Sequence, residues 1–131
     1  MDEIPARRMR GAPAPDWKPI RHHLGILGFG VNAYVARSAG DALVPEHDEV
    51  PAEGPGLEGH EELYFVSRGR ARFRVDGEDV DAPAGTLVFV RDPTVVRSAV
   101  AAEDGTTVLV AGAQPGIAFS VSPWETSYLG S

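Results

Sequence analysis

At 131 residues the chain has room for one domain with a sizeable core. Nineteen acidic against 12 basic residues give a formal net charge of −7, which argues against nonspecific nucleic-acid binding. No cysteine is present, so disulfides, thiolate catalysis and cysteine-based zinc sites are excluded together.

Residues 1–16 are rich in Pro, Ala and Arg, lack periodicity, and read as a flexible N-terminal arm ahead of one β domain over 17–131. The arm has no apolar segment behind its basic residues, so no secretory leader is expected. No run approaches the roughly 20 apolar residues of a membrane helix, and a cytoplasmic protein is the expectation. The 15 glycines and 11 prolines favour short strands joined by turns. Trp17–Arg37 offers one or two strands, with Gly25, Gly28 and Gly30 weighing against a helix. The adjacent His22 and His23 would point to opposite faces of a strand and read as surface residues. Ala42–Val44 leads into Glu46, His47, Asp48 and Glu49, which on their own read as a solvated acidic loop. Val50–Gly59 is a Pro/Gly loop.

The most informative stretch is Gly59–Gly77, GHEELYFVSRGRARFRVDG. Two alternating runs, broken at Gly69 and ending in Asp76-Gly77, predict a hairpin or meander. His60 and Glu62 stand two residues apart at its entry, so on a strand they share a face with Tyr64 and Val66. A slip of one residue would turn Glu61 inward instead. Arg70, Arg72 and Arg74 form the opposite face of Phe73 and read as an outer surface. Glu78–Asp81 is a short strand and Ala82–Gly85 a turn. Thr86–Val90 is almost wholly apolar and is expected at the centre of a sheet. Val95–Val100 is a further strand, Asp104-Gly105 a hairpin signal, and Thr106–Ala111 the last apolar strand. The tail after Gln114 carries Phe119, Trp124 and Tyr128 and is expected to pack back onto the body. Tyr64, Phe73, Phe89 and Trp124 read as core or pocket wall. The chain has neither a Gly-rich phosphate loop nor a G-x-S-x-G elbow.

Roughly eight short strands suggest a sandwich or barrel. Glu62, six further residues and Gly69 resemble the second half of the first cupin motif, G(X)5HXH(X)3-4E(X)6G. Gly85, the strand TLVFV and the turn Arg91-Asp92-Pro93 are similar to the second motif, G(X)5PXG(X)2H(X)3N. The resemblance spans about Gly40–Val110. It implies an all-β, single-domain cupin jelly-roll β-barrel that pairs as a homodimer. Cupin metal sites take three histidines and a glutamate. Here Glu62 keeps the glutamate, while the paired histidines fall on Pro55 and Leu57, or on Gly56 and Glu58. The second-motif histidine falls on Val96, beside Arg97. An alternative alignment takes Gly40–His47 as the opening of the first motif and Val50–Gly59 as an insertion. His47, His60 and Glu62, with Glu49 alongside, would then converge on a divalent transition metal such as Fe, Mn, Ni or Zn.

The resemblance implies a small cupin that binds a small organic molecule, an anionic one included, with a degenerate or absent metal site. Its pocket residues would be His60, Glu62, Tyr64, Phe89 and Arg97, with His60 and Glu62 as the candidates for proton transfer. The alternative is a metal-dependent enzyme of dioxygenase or isomerase/cyclase type built on His47, His60 and Glu62. Arg97, if it faces inward, either clamps an anionic ligand group or closes an internal salt bridge to Glu62. The expected partners are a small-molecule ligand and a second copy of the chain, with neither nucleic acid nor membrane.

Overall fold

Closely spaced turns cut the chain into short strands. The computed structural model describes residues 1–9, 14–50 and 59–129. In order these hold β1 (Arg7–Arg8), β2 (Asp16–Lys18), α1 (Ile20–Leu24), β3 (Gly30–Val35), β4 (Ala42–His47), β5 (Glu61–Arg68) and β6 (Arg70–Val75). β7 (Glu78–Pro83), β8 (Leu87–Val90), β9 (Arg97–Ala101), β10 (Thr107–Ala113) and α2 (Pro123–Leu129) follow. The strands form two antiparallel sheets, one ordered β1-β2-β3-β10-β5-β8 and the other β4-β9-β6-β7. Among the described residues the sheets do not close into a continuous barrel. Among the described residues no helix is long and apolar enough to cross a membrane.

Gly69 is where the chain passes from one sheet to the other. β5 and β6 are separated by this residue alone yet belong to different sheets, so the break is a corner and not the expected hairpin. Its φ of +77° lies in the left-handed region that glycine tolerates. The Thr106 hydroxyl fastens the corner: it accepts from the Arg70 N–H at 3.2 Å and donates to the Glu103 carbonyl at 2.7 Å. Asp76-Gly77 does form a two-residue hairpin turn, with φ of 51° and 78°, between the paired β6 and β7. Asp104-Gly105 is a crossover, since β9 and β10 lie in opposing sheets.

Alternation along the strands builds the core. Tyr64 and Val66 of β5 point inward with Phe73 of β6, Ala99 of β9 and Val108 of β10. The Tyr64 and Phe73 rings meet edge-on with centroids 5.4 Å apart. β8, expected at a sheet centre, is an edge strand that pairs only with β5. Its outward residues Leu87 and Phe89 are 61% and 48% exposed. Beside them, Leu63 and Phe65 of β5 are also exposed, in the registered pairs Leu63–Phe89 and Phe65–Leu87. The other half of this outer face is covered, with Ile4 and Ile20 buried against Ala33, Val31 and Leu109. The N-terminal segment is therefore partly docked: Arg7 pairs with Trp17, and Ile4 is buried. Gly25, counted above against a helix, instead ends α1 with a left-handed φ of +69°. On the other sheet Arg70 and Arg74 lie outside, ion-paired with Asp81 and Asp79 as a surface row should be.

Candidate functional site

A cavity of about 310 Å³ is lined by β3, β4, β5, β10 and the C-terminal tail. Glu62 enters it from β5, opposite Gly112 of β10. A Cβ on Gly112 would stand 3.2 Å from the Glu62 Cγ and 2.8 Å from the Glu61 carbonyl, so only glycine leaves the space. Glu62 Oε1 accepts hydrogen bonds from the Tyr64 hydroxyl and from Arg97 Nη1, the latter at 2.8 Å. Arg97 is buried, and its remaining nitrogens donate to the Val95 carbonyl at 2.9 Å and the Asp92 carbonyl at 3.2 Å. Of the two readings of an inward Arg97, the internal salt bridge is the one formed. The strand register is the reverse of the motif alignment: Arg97, Ala99 and Ala101 face in, while Val96 is exposed.

His47 is the cross-strand neighbour of Arg97, brought inward by a register shift between Val44 and His47. This irregularity breaks the period of two, so the sequence offered no signal for it. The His47 Nδ1–H donates to the Pro45 carbonyl at 2.7 Å, which leaves Nε2 facing Glu49 Oε2 at 3.3 Å and Glu62 Oε1 at 3.7 Å. A bare lone pair between two carboxylates is repulsive, so Nε2 must hold a proton or a metal ion. With a proton, the hydrogen bonds to Glu49 and then Glu62 raise the imidazole pKa to about 10, against the opposing effect of burial. For Glu62 burial acts upward, but the hydrogen bonds from His47, Tyr64 and Arg97 together hold its pKa below the usual carboxylate range. Burial, and then the charge on Glu62, keep the Tyr64 hydroxyl protonated. Tyr34 is shifted in the same direction by burial and by Glu62, Glu49 and Glu125.

One ligand atom each from His47, Glu49 and Glu62 lie within 4.8 Å of one another. This imidazole and two carboxylates fit a divalent cation. The third member is Glu49, not His60. His60 lines the cavity, but its Nδ1 is 3.9 Å from Glu49 Oε1 and its ring lies 6.3 Å from that of Phe119. Glu49 is placed by its own N–H, which donates to the Pro93 carbonyl at 2.8 Å, and by Gly59, where a Cβ would strike the Glu49 carbonyl. Phe89 is outside the site: it faces outward on β8, under the Arg91 guanidinium 5.4 Å from its ring centre. Pro55, Gly56, Leu57 and Glu58, the motif's histidine positions, lie outside the described residues. His22 and His23 are exposed, on α1 rather than on a strand.

The tail supplies a second wall through Phe119, Ser122, Trp124 and Glu125. Arg21 Nε donates to both Glu125 oxygens at 3.0 Å, and Arg21 Nη1 donates to the Ile26 carbonyl at 3.0 Å. Trp17 is wholly buried against Trp124 and Tyr128, with ring centres 5.0 and 5.4 Å away, and its Nε1–H donates to Asn32 Oδ1 at 2.7 Å. Of these residues the sequence signalled only the packing of the aromatic tail. Arg21 and Glu125 are 104 positions apart, and no local pattern joins them.

No family model and no curated protein matches the sequence. Solved structures match in shape. A predicted oxalate decarboxylase from Thermotoga maritima is 16% identical and aligns over 86% of this chain and 95% of its own, with a TM-score of 0.65. A cupin protein from Bacteroides fragilis is 19% identical over 93% of both chains, with a TM-score of 0.56. A cupin-superfamily sugar phosphate isomerase from Silicibacter pomeroyi is 17% identical over 86% of this chain and 73% of its own, with a TM-score of 0.66. Eight strands in the two antiparallel orders β3-β10-β5-β8 and β4-β9-β6-β7 have the Greek-key connectivity of a jelly roll. The fold of this chain is that of the cupin superfamily.

Proposed function

We propose that the chain binds a small organic molecule in this cavity, against the polar cluster of Glu62, His47 and Glu49. One observation carries the reading: a cavity of about 310 Å³, walled by Tyr34, Tyr64, Phe119 and Trp124, contains that cluster of charged groups. Such a space suits a small ligand, with apolar walls for contact and a few polar groups for orientation. The cupin-like neighbours, one described as a decarboxylase and one as a sugar phosphate isomerase, are compatible with it. A thermal-shift screen of small metabolites should yield a ligand that raises the melting temperature, and Glu49→Gln should weaken it roughly tenfold, the loss of one charge-assisted hydrogen bond. A screen in which nothing stabilises the protein would end this reading.

A second reading is favoured by the orientation of His47. With Nδ1–H fixed on the Pro45 carbonyl, Nε2 points where a cation held by Glu49 and Glu62 would be. A divalent metal there, Fe, Mn, Ni or Zn, would polarise an oxygen of a bound molecule. Elemental analysis of untagged protein should then find near-stoichiometric metal, lost in His47→Ala, and a chelator should lower the melting temperature. Absence of both effects retires the metal.

We also propose that a second copy covers Leu63, Phe65, Leu87 and Phe89. The support is an open strand edge beside four exposed apolar side chains. Sedimentation should show a dimer that Phe89→Glu converts to a folded monomer; a monomeric wild-type protein would refute the pairing.

A further inference from the structure

The two buried ion pairs beside the cavity are arranged alike. Glu62 and Glu125 both line the cavity, while their partners Arg97 and Arg21 do not. Each guanidinium is spent on protein acceptors: Arg97 on Glu62, Val95 and Asp92, Arg21 on Glu125 and Ile26. Among the described residues, no arginine or lysine lines the cavity. The imidazole of His47 is engaged too, between Glu49 and Glu62. His60 Nδ1 lies 3.9 Å from Glu49 Oε1, and its ring stands beside that of Phe119. An incoming molecule therefore meets carboxylate oxygens whose positive partners are already paired within the protein.

From this layering we infer that the cavity selects against anions and takes a neutral or cationic ligand. Such a ligand brings hydroxyl or amino hydrogens to Glu62 and Glu49 and lays an apolar face on Trp124 and Phe119. The inference rests on the small-molecule reading above and adds the charge class of the ligand. Hydroxyl and ammonium donors make charge-assisted hydrogen bonds to carboxylates, whereas a carboxylate or phosphate placed there would stand acceptor against acceptor. Aromatic walls add attraction for a cation and none for an anion.

Trp124 provides a readout that needs no knowledge of the ligand. It lines the cavity and is 38% exposed, whereas Trp17, the chain's other tryptophan, is fully buried. Fluorescence quenching by iodide, acrylamide and caesium should be compared, each normalised to free N-acetyltryptophanamide, with Trp124→Phe identifying the signal. Iodide should quench Trp124 roughly threefold less than acrylamide, and caesium at least as well as acrylamide, as local potential dictates. Glu49→Gln should restore iodide access, whereas Asp79→Asn with Asp81→Asn, two acids removed from the outer face, should not. Glu62→Gln is the second cavity variant, and Glu49→Gln keeps the test decisive if Glu62→Gln fails to fold. Iodide quenching equal to or above that of caesium in the wild type would overturn the inference. So would a restoration by the outer-face variant as large as by Glu49→Gln. A screen in which uronates or phosphates stabilise the protein more than their neutral sugars would overturn it as well. A screen with no binder at all, beside normal charge-selective quenching, removes the small-molecule reading instead.

Discussion

The two arginine–glutamate pairs differ in what hangs on them. Arg97–Glu62 joins the two sheets inside the strand body, and Glu62 is also held by Tyr64 and faced by His47. Arg21–Glu125 joins a five-residue helix to a seven-residue helix, with aromatic rings around it. The first pair is part of the core, so its loss is felt by the whole fold. The second is a clasp on a segment that can leave without unpairing any strand. Chemically similar pairs therefore do different work, decided by which elements carry them.

Breaking each pair separately sharpens this contrast. Arg97→Met leaves Glu62 without its main counter-charge and should cost about 3–5 kcal/mol in urea unfolding, the usual penalty for one partner of a buried pair. Replacing both residues, Arg97→Met with Glu62→Leu, should recover a large part of that loss. If the single variant melts like the wild type, Arg97 is not a member of the core. Glu125→Ala should cost less, about 2 kcal/mol for a charged hydrogen bond. Its signature should be local: raised amide exchange in α2 and a shifted Trp124 emission, with the strand amides still protected. Global loss of protection in Glu125→Ala would mean that the tail belongs to the core after all.

A further effect should come from pH. His47 has a folded pKa near 10 against an ordinary value of 6.5. A raised pKa gives stability that is complete below about pH 6.5 and is lost as the pH climbs towards 10. In chelator, the wild-type melting temperature should fall across that window more steeply than that of His47→Gln. Identical slopes would show that the imidazole carries no proton between its carboxylates.

Much of this was legible in the sequence, and the rest fails for definite physical reasons. Spacing by two put Glu62 and Tyr64 on one inward face, and Asp76-Gly77 marked its turn, because both signals are local. The motif alignment turns Val96 inward, yet Val96 lies outside and Arg97 inside, in the ion pair with Glu62 that an inward Arg97 allows. His47 and Glu49 read on their own as a solvated loop, and only the alternative motif alignment brings them to the site, because the shift in β4 is invisible in residue types. TLVFV looked central because its outward residues are apolar, although they lie at a sheet edge. The Arg21–Glu125 clasp had no signal at all.

That clasp also sets an order of events. Glu125 meets Arg21 across 104 positions of chain, so the tail wall rests on a long-range contact that local turns do not prepare. During folding the sheets can pair before the tail docks, leaving Trp17 open on the side that Trp124 and Tyr128 cover. The molecule can thus hold both sheets before its cavity has its tail wall, and a variant without Glu125 loses the clasp that fixes that wall.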